Sequence, residues 1–299
     1  SSISSRCSSD SKIKLGFTDT HDHLAAFFNH VLSMRYDVEI VKEDQPDFLI
    51  FGDRNFGNDN LNFDKDKVTK IFYTGENQRP EDYDCHYAIT FDHNYYPWHY
   101  RLPLFVIYLW ALKHVHKSKY DKNYIMKPEI KKKTGFCSFV VKNGKPTERN
   151  DFYNMLTNYK RIDSGGSHRK NIEGDLEGEV AKIEFLSTRK FNLCFESMSY
   201  PGYATEKILH AYLAGTVPIY WGSETIESDF NPKSMINVHN FVDYSDAIEY
   251  IKKIDESDPH YEWMVNQPKF TDNVLPSYMF YNNFLNWFDS IVYQKQLAR

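Results

Sequence analysis

The sequence has no apolar run that approaches the roughly 18–20 residues that a membrane-spanning helix needs. It also lacks the G-x-G-x-x-G fingerprint of dinucleotide-binding proteins and the glycine-rich loop of P-loop NTPases. No N-x-S/T glycosylation sequon occurs. These absences argue against a membrane span within these residues, a simple dinucleotide-dependent dehydrogenase and a P-loop nucleotidase.

Cysteine is scarce, and its spacing offers no metal or redox motif. The four residues, Cys7, Cys85, Cys137 and Cys194, form no C-x-x-C pair. Cys137 and Cys194 lie inside strand-like apolar runs, which predicts buried free thiols. Free thiols favour a reducing compartment, so we expect a cytoplasmic protein, with peripheral association at the cytoplasmic face of a membrane left open.

The charge balance excludes some partners. Lys and Arg number 36 against 41 Asp and Glu, so the formal net charge is −5. This balance argues against a nucleic-acid partner or general binding to an anionic membrane surface. Isolated basic residues can still bind a small anion. The chain is also rich in aromatic residues, and a minority of them could line a sugar or nucleotide cleft.

Short apolar strands alternate with helical patterns along the chain, which predicts an α/β fold with parallel sheets. The Lys-rich stretch 116–134 is low in apolar residues and is predicted to be a solvated connector. A second set of strands begins after it. We therefore predict a flexible tail over 1–11, an N-terminal Rossmann-like domain over 12–145, and a C-terminal one over 146–299 with closing helices.

Ligands of such sheets bind at the carboxyl ends of the strands, in the loop before the next helix. Three predicted loops have this position. They are YTGEN at 73–77, KNGKPTER at 142–149 and SMSYPGYATEK at 197–207.

The third loop leads into a predicted helix that begins near Thr205, a favourable N-cap residue, and stops at Gly215. Lys207 lies in the first turn, where the helix dipole disfavours a cation. A bound phosphate or diphosphate would explain the lysine, and Glu206 would then bind a ribose diol rather than pair with Lys207. A solvated lysine beside a dipole-stabilising glutamate explains the pattern equally well.

Arg149 has the same setting, since it follows a strand and a Gly/Pro loop and opens the next predicted helix. Two cations at two helix starts predict a clamp on a diphosphate. Glu76 follows a strand end in the other half of the chain, where a carboxylate could act as a general base. Taken alone, Glu76 is more simply an ordinary loop acid.

Two D-x-D strings, Asp64-Lys65-Asp66 and Asp82-Tyr83-Asp84, could hold a divalent cation. Both lie in charged, turn-like stretches, so solvated loop acids are the favoured interpretation. The histidines of HDH at 21–23 have no third ligand in register and are interpreted as residues at a helix start.

At these residues the sequence resembles the family 10 glycosyltransferases, the α1,3/4-fucosyltransferases, and particularly their bacterial members. The longest match is FNLCFESMSYPGYATEKILHAYLAGTVPIYWGS at 191–223. Shorter matches follow in family order over most of the chain: YTGEN (73–77), FD and RLPL (91–104), FCSFVVKN with RNDF (136–152) and DSGG (163–166).

The resemblance implies an α/β fold of the GT-B type, with two Rossmann-like domains facing across a cleft. It implies acceptor binding by the N-terminal domain, GDP-fucose binding mainly by the C-terminal one, and inverting transfer with no obligatory metal or other cofactor. Arg149, Lys207 and helix N–H groups would stabilise the leaving diphosphate.

The resemblance also assigns the remaining candidate residues. Glu206 would bind the ribose, Tyr203 and Tyr73 match family tyrosines near the donor, and Glu76 matches the proposed base. Ser197 departs from the family, which usually has Asn after the F-E pair. A hydroxyl cannot reproduce the two-ended contact of an amide, so the donor contact at this position is weakened or altered.

The predicted function is therefore an inverting α1,3-fucosyltransferase. It would move L-fucose from GDP-fucose to the 3-hydroxyl of GlcNAc in N-acetyllactosamine-type acceptors, giving a Lewis X type product. Two alternatives remain: another nucleotide-sugar donor, or an α1,4 acceptor preference. A catalytically silent carbohydrate- or nucleotide-binding protein is a third, which the presence of Glu76 disfavours.

Overall fold

A computed structural model describes residues 12–42 and 45–299. The predicted tail over 1–11 lies outside the described residues. The strands are β1 (Lys12–Thr18), β2 (Asp37–Ile40), β3 (Phe48–Phe51), β4 (Thr69–Tyr73), β5 (Tyr87–Thr90), β6 (His99–Arg101), β7 (Gly135–Phe139), β8 (Ile162–Ser164), β9 (Arg189–Phe195), β10 (Val217–Trp221) and β11 (Ile236–Asn237). The helices are α1 (Asp22–Leu32), α2 (Leu104–His114), α3 (Lys122–Met126), α4 (Thr147–Thr157), α5 (Gly178–Ser187), α6 (Glu206–Leu213), α7 (Ile226–Asp229), α8 (Tyr244–Asp255), α9 (Asp258–Val265) and α10 (Tyr281–Leu297).

The described chain forms two compact units. Unit 1 contains the described residues up to Leu102 together with Ser277–Arg299, and unit 2 is Pro103–Pro276. Among the helices that the structure describes, none combines the length and the apolar character that crossing a bilayer requires.

Unit 1 is built on a six-stranded sheet in the order β2-β1-β3-β4-β5-β6, with parallel pairing throughout. All four residues of β3 are buried, as expected for a parallel strand covered on both faces. Helix α1 buries Phe27, Phe28, Val31 and Leu32, which recur at helical spacing. Helix α10 contributes Phe288, whose ring lies 5.4 Å from that of Phe48.

Unit 2 is built on a five-stranded parallel sheet in the order β11-β10-β9-β7-β8. Its core contains residues from β7, β9 and β10 and from helices α4, α8 and α9. Every residue of α6 from Ile208 to Leu213 is buried, because the sheet covers one side of this helix and α2 and α5 cover others.

The structure divides the chain at places other than the predicted boundary near 145. Strand β7 pairs with β8 and β9 in the unit 2 sheet, so Gly135–Phe139 belongs with the later residues. Helix α2 also belongs to unit 2, where the Phe105 ring lies 4.9 Å from that of Phe230. Helix α10, predicted to close the C-terminal domain, instead packs in unit 1.

Most predicted strands and helices are present, but the sequence patterns miss several elements. The predicted solvated connector 116–134 contains α3, whose first turn is capped by the Asp121 carboxylate and which buries Ile125. The helices α5 and α9 and the three-residue strand β6 are also not predicted. Their apolar residues do not recur at a clear helical or strand period, so tertiary contacts define them.

The end of α6 depends on a glycine with left-handed backbone. Gly215 has φ +65, and a Cβ atom there would lie 2.3 Å from the Glu129 carbonyl oxygen. Gly174 also has positive φ, +75, but a Cβ atom at that position would meet nothing within 4 Å. Substitutions at these two glycines therefore distinguish the cost of left-handed backbone strain from the cost of steric overlap.

We expect Gly215→Ala to lower the free energy of unfolding by roughly 2–5 kcal/mol, because left-handed strain adds to forced displacement of the Glu129 backbone. Gly174→Ala should lower it by only about 1–2 kcal/mol, from strain alone. Chemical denaturation of both variants measures the difference. Equal losses would contradict the packing argument.

Candidate active site

The loop between β9 and α6 ends at a helix N-terminus whose N-cap is Thr205, as predicted. The Thr205 side chain does not cap the helix, however. Its hydroxyl donates to Glu196 Oε1 at 2.6 Å, and its backbone N–H donates to Glu196 Oε2 at 2.6 Å. The first turn of α6 is therefore tied to the residue that directly follows β9.

Glu196 is fully buried, and burial raises the pKa of its carboxyl to about 7 against the attraction of Lys207 and the Thr205 hydrogen bonds. A glycine makes room for this side chain. Gly222, with φ +156, follows β10, and a Cβ there would lie 2.3 Å from Glu196 Cγ. Glu196 is absent from the site residues predicted from the sequence, although an acidic residue directly after a buried strand is a usable signal.

Lys207 pairs with two carboxylates. Its Nζ lies 3.7 Å from Glu206 Oε1 and 3.9 Å from Glu196 Oε1. Burial alone would lower the pKa of this ammonium, but the attraction of Glu206 and Glu196 outweighs it and raises the pKa. Glu206 pairs with Lys207 in this structure, and the pairing explains how a cation is tolerated in the first turn. That Glu206 binds a ribose diol instead when a diphosphate is present stays a prediction.

Glu206 is held as a carboxylate by surrounding cations. Burial would raise its pKa, but Lys207, Lys182 and His210 together lower it to about 2. A carboxylate that is ionised throughout the neutral range can accept hydrogen bonds from a diol. His210 is four residues along the same helix, whereas Lys182 lies on α5 and no local pattern pointed to it.

Arg149 lies in the first turn of α4, as predicted, and its side chain is buried. One terminal nitrogen donates to the Phe195 carbonyl at 3.2 Å and the other to the Asn143 carbonyl at 2.7 Å. Its Nε is buried and has no hydrogen-bond partner among the residues that the structure describes. Arg149 thus connects the ends of β7 and β9.

The two basic loops are neighbours because β7 and β9 pair directly in a parallel sheet, which brings their carboxyl ends to one edge. Arg149 and Lys207 are both positively charged, so Arg149 repels Lys207 and acts to lower its pKa. One buried and one partly buried cation beside the free N–H groups of a helix start are the chemistry that binds a phosphate or diphosphate.

The loop 197–204 is held against the end of β10. The Tyr220 hydroxyl donates to the Tyr203 carbonyl at 3.1 Å, and the Gly202 N–H donates to Ser223 Oγ at 2.9 Å. Ser197 Oγ lies 3.4 Å from the Tyr203 hydroxyl. Tyr203 and Ser197, both predicted donor-site residues, are therefore in contact, and the residues of β10 that support them were missed.

The other two predicted residues belong to unit 1. Tyr73 ends β4 and is buried, with its ring 5.4 Å from that of Phe28 in edge-to-face geometry. Glu76 is exposed, and its N–H donates to Thr74 Oγ1 at 3.0 Å.

The D-x-D strings have structural contacts of their own. Asp64 Oδ1 accepts from the Asp66 N–H at 2.9 Å, which closes a turn, and Lys65 Nζ lies 3.4 Å from Asp84 Oδ1. Within 12–42 and 45–299, no group of three or more His, Cys, Asp or Glu residues could hold a metal ion. His21 is the N-cap residue of α1, as its interpretation at a helix start implied.

Two family models match the chain. One, described as glycosyltransferase family 10 (fucosyltransferase) C-term, matches residues 130–288. The other, described as the alpha-(1,3)-fucosyltransferase FucT N-terminal domain, matches residues 14–108. Together they cover most of both units.

Individual proteins are similar as well. Alpha-(1,3)-fucosyltransferase FucT of Helicobacter pylori is 36% identical over 251 residues, which is 74% of this chain and 52% of that protein. The mouse (Mus musculus) 4-galactosyl-N-acetylglucosaminide 3-alpha-L-fucosyltransferase 9 is 30% identical over 156 residues, 48% of this chain and 42% of that protein. The chain thus spans about half the length of these relatives.

A solved structure agrees with the fold. The crystal structure of an alpha1,3-fucosyltransferase with GDP-fucose superposes with a TM-score of 0.73 at 28% identity, covering 97% of this chain and 93% of that one. The predicted α/β fold with two Rossmann-like units of the GT-B type is confirmed.

The buried carboxyl of Glu196 should make stability depend on pH. The folded state binds its proton more tightly than the unfolded chain, so stability falls as pH rises from about 4.5 through about 7. We expect Glu196→Gln to reduce this loss of stability between the two pH values by about 3 kcal/mol. The Thr205 contacts should persist, because the amide oxygen can accept from the Thr205 N–H and the Thr205 hydroxyl can accept from the amide NH₂.

Denaturant unfolding at about pH 5 and about pH 8 measures the effect for the wild type and the variant. Glu249→Gln, which changes an exposed carboxylate on α8, is the control. An unchanged pH dependence in Glu196→Gln would contradict the assignment.

Proposed function

The chain belongs to glycosyltransferase family 10, the fucosyltransferases, and on that premise we propose that it is an inverting α1,3-fucosyltransferase that uses GDP-fucose. The observation that carries this proposal is a pair of cations, buried Arg149 and partly buried Lys207, at the helix starts that follow two neighbouring strands of unit 2. Such a pair provides the charge that a nucleoside diphosphate leaving group needs.

In the proposed reaction an acceptor hydroxyl oxygen attacks the anomeric carbon of fucose, and the bond from that carbon to the diphosphate oxygen breaks. Glu76 takes the hydroxyl proton as the general base. GDP leaves with the bonding electrons, and Arg149, Lys207 and the N–H groups of α6 stabilise its charge. No step requires a metal ion or another cofactor.

The remaining donor contacts follow from the site chemistry. Glu206, ionised by its cationic neighbours, accepts from the ribose diol of GDP. Tyr203 and Ser197 lie in the same loop and are assigned to the donor, as is Tyr73 by its motif. The similar crystal structure of an alpha1,3-fucosyltransferase with GDP-fucose supports this donor, and the name of the mouse 3-alpha-L-fucosyltransferase 9 supports this linkage.

For the acceptor we propose the 3-hydroxyl of GlcNAc in an N-acetyllactosamine-type glycan, which gives a Lewis X type product. The mouse relative is named for a 4-galactosyl-N-acetylglucosaminide, and this supports the choice. We also propose a cytoplasmic location, because Cys85, Cys137 and Cys194 are free thiols and free thiols favour a reducing compartment.

Ser197 favours one alternative, a different nucleotide-sugar donor. Its short hydroxyl offers fewer hydrogen bonds than the amide found in most of the family. Tight binding of UDP or ADP with no binding of GDP would establish this alternative. An α1,4 acceptor preference is the second alternative and concerns only the acceptor.

We expect Arg149→Ala and Lys207→Ala each to weaken GDP binding by roughly 10- to 100-fold, since each removes a charge-assisted contact to the diphosphate. Isothermal titration calorimetry with GDP, UDP and ADP measures this effect and the base preference together. Lys253→Ala, which changes an exposed lysine of α8, is the matched control. GDP binding that survives both substitutions would contradict the clamp.

We expect Glu76→Ala to lower transfer by about 10²–10⁴-fold and to leave GDP binding near that of the wild type, because a base acts on the acceptor proton. The assay uses GDP-fucose with type 1 and type 2 lactosamine acceptors in the presence of EDTA, and linkage analysis identifies the product. Substantial turnover by Glu76→Ala would show that the base is wrongly assigned. Complete loss of wild-type transfer in EDTA, restored by manganese, would contradict the metal-free mechanism.

A further inference from the structure

The loop that carries Glu76 is fixed to its own sheet by a buried threonine. Thr74 directly follows β4 and is 2% exposed, and its hydroxyl makes two hydrogen bonds. The oxygen accepts from the Glu76 N–H at 3.0 Å, and the hydroxyl donates to Asp53 Oδ2 at 3.1 Å. The hydroxyl thus joins the loop after β4 to the loop after β3.

Asp53 is itself held in place. It is 1% exposed, and its second oxygen, Oδ1, accepts from the Asn55 N–H at 3.0 Å. Both carboxylate oxygens are therefore used. Because β3 and β4 are paired neighbours, the contact between Asp53 and Thr74 crosses adjacent strand ends of one sheet.

The far side of the loop is also fixed. The Arg79 guanidinium donates to Asn77 Oδ1 at 2.5 Å and to Asp92 Oδ1 at 2.5 Å. Glu76 therefore lies on a short exposed segment with anchored neighbours on both sides. A catalytic base needs its position fixed to within a fraction of an ångström, and loops seldom provide this without such support.

We propose that Asp53 and Thr74 are positioning residues for Glu76: the Asp53 carboxylate orients the Thr74 hydroxyl, which fixes the backbone of Glu76 for proton transfer from the acceptor hydroxyl. The inference rests on the proposed function, in which Glu76 is the base. Asp53 and Thr74 are both buried, and in this arrangement they act through Glu76. Each of these two hydrogen bonds polarises the Thr74 hydroxyl, and in the low-dielectric interior this strengthens the other.

The test compares Thr74→Val, which keeps the shape and removes the hydroxyl, with Thr74→Ser, which restores it. We expect Thr74→Val to lower kcat about 10- to 100-fold, with KM for GDP-fucose and GDP affinity unchanged, and Thr74→Ser to retain most of the activity. Thr216→Val is the matched control, because its buried hydroxyl also makes two hydrogen bonds but lies before β10 in unit 2.

A double-mutant cycle separates positioning from stability. In a Glu76→Gln background, Thr74→Val should cause no further loss of the residual rate, and thermal unfolding identifies any variant that fails to fold. Three results would overturn the inference. They are a wild-type kcat in folded Thr74→Val, an equal loss of kcat in Thr74→Ser, or a further loss of rate when Thr74→Val is added to Glu76→Gln. High activity in Glu76→Gln alone would instead overturn the proposed base. If Thr74→Val does not fold, Thr74→Ala takes its place in the same double-mutant cycle, and the same results support or overturn the inference.

Discussion

The arrangement of unit 2 depends on one buried carboxylate, that of Glu196. It joins the end of β9 to the start of α6 through the backbone and the hydroxyl of Thr205. It also lies within ion-pair distance of Lys207, a cation that the helix dipole would otherwise disfavour. A buried charge is costly unless it is paired and hydrogen-bonded. These contacts offset part of that cost, and burial still raises the pKa of the Glu196 carboxyl to about 7.

The same carboxylate determines the electrostatics around it. Lys207 lies between Glu196 and Glu206, while Arg149 reaches the end of β9 from the neighbouring loop. Cations with charged neighbours in a low-dielectric interior are oriented before a ligand arrives, so an incoming diphosphate need not reorganise them. Unit 1 fixes Glu76 in a related manner, with a buried Asp53 and Thr74 supporting the loop at a strand end.

Sequence reasoning identified the elements with strong periodicity, such as α1, β3, β9 and α6, because apolar spacing follows directly from burial. It missed α5 and β6, which lack a clear apolar period and whose form depends on contacts with distant parts of the chain. The misplaced boundary has the same origin. Neither the pairing of β7 with β9 nor the packing of α10 in unit 1 leaves a local trace in the sequence.

By itself the sequence determined the α/β class, the three loops at strand ends, the cations Arg149 and Lys207, and the family to which the motifs belong. These features are encoded locally, by residue type and spacing. Only the tertiary structure decided that Lys207 pairs with Glu206 and Glu196, that Lys182 approaches Glu206, and that Thr74 links Glu76 to Asp53. Several of these contacts join residues on different elements, and the energies of all of them depend on burial, which spacing alone does not reveal.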